Sequence, residues 1–124
     1  MAKILSLVLG SVAGGLARYY LAGHAHRVFG AAFPYGTFAV NLTGCFLIGF
    51  LSAISEGKFG MSPNMKLLLM VGFCGAFTTF STLMLETGNL MKDGEALRAF
   101  LNVFLSFVVG FVLFKAGVAL GKLI

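Results

Sequence analysis

Four apolar stretches divide this chain, and short polar connections separate them. The first runs from about Ile4 to Ala22 and the second from about Tyr35 to Ile54. The third runs from about Leu67 to Leu90 and the fourth from about Leu97 to Leu120. A membrane-crossing helix takes about 20 apolar residues, and each stretch reaches that length. The connections, residues 23–34, 55–66 and 91–96, are too short for a soluble domain. The pattern predicts an all-α membrane protein, with residues 1–124 forming a single domain of four transmembrane helices. The amino-terminal stretch superficially resembles a signal peptide, but it lacks a convincing cleavage site and further spans follow. It reads as a retained first span. No internal repeat and no low-complexity tract is visible.

The third stretch is unlike the others at its centre, Gly72-Phe73-Cys74-Gly75-Ala76-Phe77-Thr78-Thr79-Phe80-Ser81-Thr82. Glycine is a poor helix former, and β-branched threonine loses rotamer freedom in a helix. Hydroxyls at membrane depth are expensive unless they face protein, an ion or water. This centre therefore predicts a broken third helix, a device that exposes backbone dipoles to ions.

Composition narrows the class. The chain of 124 residues is 59% hydrophobic and only 10% charged, against about a quarter charged in a soluble domain. The mean hydropathy is +0.98. The formal charge of +5 is scattered singly, which argues against a nucleic-acid partner and against a basic surface-binding helix. Cys45 and Cys74 both lie in apolar stretches and read as free thiols. His24 and His26 read as loop residues, too few for a metal site.

Small residues recur four apart as Ser6, Gly10 and Gly14, as Ser106 and Gly110, and as Gly117 and Gly121. That spacing lines one helix face and allows close crossing, either within one chain or also between subunits. Four helices alone leave little interior for a pore, which favours an oligomer. The basic residues set Lys3, Lys58, Lys66 and Lys122 on one side against Arg27, Lys92 and Arg98 on the other. So even a balance hardly decides orientation under the positive-inside rule. Insertion both ways round, with opposite copies pairing about a two-fold axis in the membrane plane, is the expectation.

Several polar residues are candidates for chemistry. Thr37 and Asn41 share one face of the second span with Gly44 and Cys45. Asn41 offers two N–H donors to a partner, which is either another helix or an ion. Phe77 and Phe80 flank the threonines, and an aromatic edge is electropositive, so it suits a small anion. Arg18 ends the first span beside Tyr19 and Tyr20, either snorkelling to the headgroups or drawing anions to a vestibule. Glu86 is the only acid within a span, four residues after Thr82. Asn102 and Ser106 form a four-spaced polar pair on the fourth span. No nucleophile–base set, phosphate loop or metal-ligand cluster emerges, so an enzyme is not expected.

Gly14-Gly15-x-x-Arg18-Tyr19, Gly36-Thr37-x-x-x-Asn41-x-x-Gly44 and Gly72 to Thr82 together resemble the Fluc (CrcB-type) fluoride channels. The resemblance spans the whole chain, and the third-span motif is its most specific part. It implies a fluoride-selective channel in the bacterial inner (plasma) membrane, built as an antiparallel dual-topology homodimer with a pair of fluoride pores. It implies passive export: hydrogen fluoride enters as a neutral acid and dissociates, so accumulated fluoride leaves down its own gradient. Fluoride-pathway residues carried over are Arg18, Thr37, Asn41, Phe80, Ser81, Thr82, Glu86 and Ser106. Gly75 and Thr78 match positions whose backbone carbonyls hold a sodium ion between subunits. One position departs: Leu83 stands where the family pattern has a second phenylalanine, so the ring edge expected there is absent.

Two other readings remain at the level of the sequence. A small multidrug-type proton-coupled transporter has similar size and topology, but it needs an acid in its first span, and this first span has none. A non-transporting membrane subunit leaves Thr78 to Thr82 unexplained.

Overall fold

The computed structural model describes residues 1–57 and 60–124, and among these every regular element is helical. Helix α1 is Ala2–Phe29 and α2 is Tyr35–Glu56. The third span, Pro63–Lys92, is composite. It comprises α3 (Pro63–Lys66), a π-helical stretch (Leu67–Cys74), α4 (Gly75–Phe77) and α5 (Phe80–Lys92). Helix α6, Ala96–Gly121, completes the chain. Four helical segments are thus long and apolar enough to cross a membrane. Lys58, one of the residues in the charge balance, lies outside the described residues.

The first helix corrects one expectation. His24 and His26 are helical, because α1 continues seven residues past Ala22. Polarity alone does not end a helix, and no proline interrupts residues 23–29. Arg27 Nε donates to the Gly23 carbonyl at 3.3 Å, and His26 and Arg27 put basic side chains at the carbonyl end. The stop comes at Gly30, whose φ of +83° suits a residue without Cβ. Phe33 and Tyr35 then pack with ring centroids 5.1 Å apart and carry the chain into α2. The third span also begins earlier than hydropathy indicates. Ser62 caps α3 by accepting from Met65 N at 3.3 Å, and Pro63 follows at the first helical position.

Helix α2 packs along α6, and α1 packs along the π-helical stretch. The small-residue rows make these seams. A Cβ on Gly117 would run into the Phe46 carbonyl of α2, and one on Gly49 into the Phe114 carbonyl of α6. Gly10 and Gly14 meet the backbone of Leu68 and Phe73 in the same way. Close backbone approach replaces large side chains here, as expected where lipid supplies no hydrophobic drive between helices. Both cysteines are free thiols. The rest of the apolar surface, including Leu5, Val12, Phe104 and Phe111, is exposed on the single chain.

Candidate functional site

The helical run from Pro63 ends at Phe77, and helix resumes at Phe80. Between them Thr78 (φ −86°, ψ 159°) and Thr79 (φ −152°, ψ 113°) have extended backbone. Two helix ends therefore face each other: carbonyls at the end of α4 and N–H groups at the start of α5. The first end is electronegative and the second electropositive.

Local chemistry explains why the chain turns here. Thr78 N donates to the Cys74 carbonyl at 3.1 Å, and Thr78 Oγ1 donates to that same oxygen at 3.0 Å. Thr79 is the N-cap of α5: its hydroxyl accepts from Thr82 N at 3.3 Å and lies 2.9 Å from Thr82 Oγ1. Ser81 Oγ is 3.3 Å from the same hydroxyl. Short polar side chains that bond nearby backbone favour caps over helix interiors.

Asn41 of α2 supports the extended pair from outside. Its Nδ2 donates to the Thr79 carbonyl at 3.0 Å, and Thr79 N donates to its Oδ1 at 2.8 Å. The Thr79 N–H needs an acceptor, so this pair fixes which end of the carboxamide is oxygen. The carboxamide retains a second N–H beyond the one given to Thr79. Gly44, one turn along α2, has no Cβ because the Thr78 methyl occupies that space.

A cavity of about 550 Å³ opens beside this junction. It brings together Asn41, Gly75, Thr78, Phe80, Leu83 and Ser106, with Thr79, Cys45 and Gly110 also in its wall. Phe80 is 63% exposed and Leu83 is buried. Ser106 Oγ is buried and has no hydrogen-bond partner among the described residues. The carbonyls of Gly75 and Thr78 receive no hydrogen bond from the described residues. Free main-chain oxygens at a helix carboxyl end suit a hard cation such as sodium, so the donor set fits that ion.

The other carried-over residues lie apart from this cavity. Thr37 donates to Glu86 Oε1 at 2.8 Å, linking α2 to α5, while Glu86 Oε2 is buried without a partner among the described residues. Ser81 and Thr82 belong to the cap, and Arg18 lies on α1 outside the cavity wall. Sequence reasoning gave Thr79 no role of its own and paired Asn102 only with Ser106. Thr79 carries the junction, and its signal was available: a threonine immediately before Phe80 at the start of an apolar helix is an N-cap candidate. Asn102 is fully buried, and its Nδ2 donates to Thr87 Oγ1 at 3.0 Å; Thr87 in turn donates to the Leu83 carbonyl at 2.7 Å. This relay fastens α6 to α5 beneath Leu83.

The family profile described as CrcB-like protein, Camphor Resistance (CrcB), matches residues 5–118. The chain is similar to a protein of Maridesulfovibrio salexigens named fluoride-specific ion channel FluC, at 44% identity over 124 residues, covering 100% of this chain and 98% of that protein. It is similar to the protein of that name from Chlorobaculum tepidum, at 50% identity over 123 residues, covering 99% and 97%. The counterpart in Desulforapulum autotrophicum is 42% identical over 122 residues, covering 98% of each chain. The chain belongs to the CrcB family.

Proposed function

We propose that this CrcB-family chain is a fluoride-selective channel that lets fluoride leave the cytoplasm passively across the inner membrane. The observation that carries the reading is the extended pair Thr78–Thr79, held by Asn41 and opening onto the cavity that Phe80 and Ser106 line. Fluoride is small and strongly hydrated. A site that admits it must replace lost water with a few well-placed donors, while a narrow path disfavours chloride. The second Asn41 N–H, the Ser106 hydroxyl and the electropositive edge of Phe80 are such donors. Ser81, Thr82 and Glu86 of α5, with Thr37 of α2, continue the polar steps, and Arg18 draws anions toward the mouth. At Leu83 the path has no ring edge, and the neighbouring hydroxyls compensate.

The functional unit is an antiparallel dual-topology homodimer with a pair of pores. Support comes from the near-even charge balance and from the open side of the cavity, where Gly75 and Phe80 are exposed and a second copy would cover them. The third span acts as a broken helix. The Gly75 and Thr78 carbonyls of both copies would hold a sodium ion, which supplies positive charge at the subunit interface. The multidrug-exchanger reading draws no support: the acid it needs is absent from α1, and Glu86, on the third span, is hydrogen-bonded to Thr37 of α2.

Fluoride-electrode recording of efflux from proteoliposomes tests the function, with chloride-loaded vesicles alongside. Rapid fluoride release with little chloride release is expected. Vesicles that retain fluoride, or that release both ions alike, would refute it.

A further inference from the structure

We infer that Asn41 is a positioning residue for the cation site: its carboxamide takes the Thr79 N–H that an unbroken helix would give to the Gly75 carbonyl. The inference rests on the sodium reading above for the identity of the cation, and on hydrogen bonds alone for the mechanism. In an α-helix each N–H donates to the carbonyl four residues earlier. That series reaches Thr78, which still donates to Cys74 at 3.1 Å. The next bond in the series, Thr79 N to Gly75 O, is missing among the described residues, and Asn41 Oδ1 takes that donor at 2.8 Å. The other arm of the carboxamide holds the Thr79 carbonyl at 3.0 Å, so both backbone groups of Thr79 pair sideways with α2. A buried N–H is rarely left unmade. Without Asn41, the cheapest new partner for Thr79 N is Gly75 O, and that bond would remove the oxygen from the cation. Asn41 thus keeps a carbonyl exposed on the third span, in addition to offering an N–H to the anion. The two ion sites are coupled through one side chain.

Full-length protein in micelles, free of fluoride, tests this with sodium chloride against choline chloride. Two quantities are read: hydrogen exchange of the Thr79 amide, and the sodium concentration that half-saturates a rise in melting temperature. In the unaltered protein Thr79 exchanges slowly and sodium raises the melting temperature. In Asn41→Ala, Thr79 N turns to the Gly75 carbonyl, so its exchange stays slow while the half-saturating sodium concentration rises about tenfold or more. Asn41→Asp keeps an acceptor for Thr79 N. It therefore retains slow Thr79 exchange and the sodium response, yet loses fluoride release because its charge faces the anion.

Unchanged sodium half-saturation in Asn41→Ala overturns the inference, as does fast Thr79 exchange there, which means that no new bond to Gly75 forms. If Asn41→Ala does not fold, Asn41→Asp decides, and fast Thr79 exchange there is the refuting result. An unaltered protein that releases fluoride but ignores sodium sinks the inference and leaves the channel reading standing. One that responds to sodium through Asn41 but releases no fluoride does the reverse.

Discussion

Helix α2 meets its neighbours in two opposite ways. Toward α6 its contacts are backbone against backbone: Gly49 faces the Phe114 carbonyl, and Gly117 faces that of Phe46. Toward the third span it extends a carboxamide into the main chain, and Asn41 takes both backbone groups of Thr79. The first contact closes space. The second keeps a helix from closing and leaves a cavity of about 550 Å³ beside it. Membrane helices have no hydrophobic drive between them, so packing and polar contacts share the work of association. In this chain they are segregated: small residues supply cohesion along the seams, and polar residues cluster where an ion would need them.

The sharpest test of the closed seam is Gly117→Leu. The added side chain meets the Phe46 carbonyl, which is backbone and cannot rotate away. A loss of about 3 kcal/mol or more is expected, seen as aggregation or a collapsed melting transition in detergent. If the variant melts like the unaltered protein, the seam is looser than the structure has it. Next comes Thr87→Val, which strips Asn102 of the hydroxyl its Nδ2 reaches and leaves that fully buried amide unpaired. Destabilisation of about 2 kcal/mol is expected, with fluoride–chloride selectivity retained. Denaturant titration reads the first quantity and paired efflux assays the second.

Ser106→Ala probes the open region. The hydroxyl has no partner among the described residues, so its loss leaves stability unchanged. Fluoride efflux falls about fivefold, the equivalent of one lost hydrogen bond to the permeating ion. A drop in melting temperature with unaltered efflux would move Ser106 from the open region to the closed one. The smallest effect belongs to Gly23→Ala on α1, where a new Cβ meets nothing within 4 Å. Helix propensity alone then acts, and a gain of about 0.5–1 kcal/mol is expected in the same denaturant titration.

Much of this was legible along the chain, for physical reasons that differ by region. A span announces itself because about 20 consecutive apolar residues have few other uses. Glycines four apart announce a seam because only a missing Cβ allows backbones to touch. Hydropathy ends the first span at Ala22 and makes His24 and His26 loop residues, although helix continues to Phe29, because hydropathy marks the lipid boundary and not the helix boundary. The Ser62–Pro63 cap is a local signal that hydropathy does not weigh.

What the sequence by itself determined was the four-span helical class, the glycine seams and the weakness of helix around Thr78, since each follows from residues adjacent or one turn apart. What only the tertiary structure decided was the partner of each polar group. Asn41 and Thr79 are 38 residues apart in the chain, and Thr37 and Glu86 are 49 apart. A hydrogen bond depends on distances of about 3 Å, and no periodicity along one chain specifies which distant atoms come that close. The carbonyl of Gly75 is free because of a side chain on another helix, so the site belongs to the packing and not to the motif.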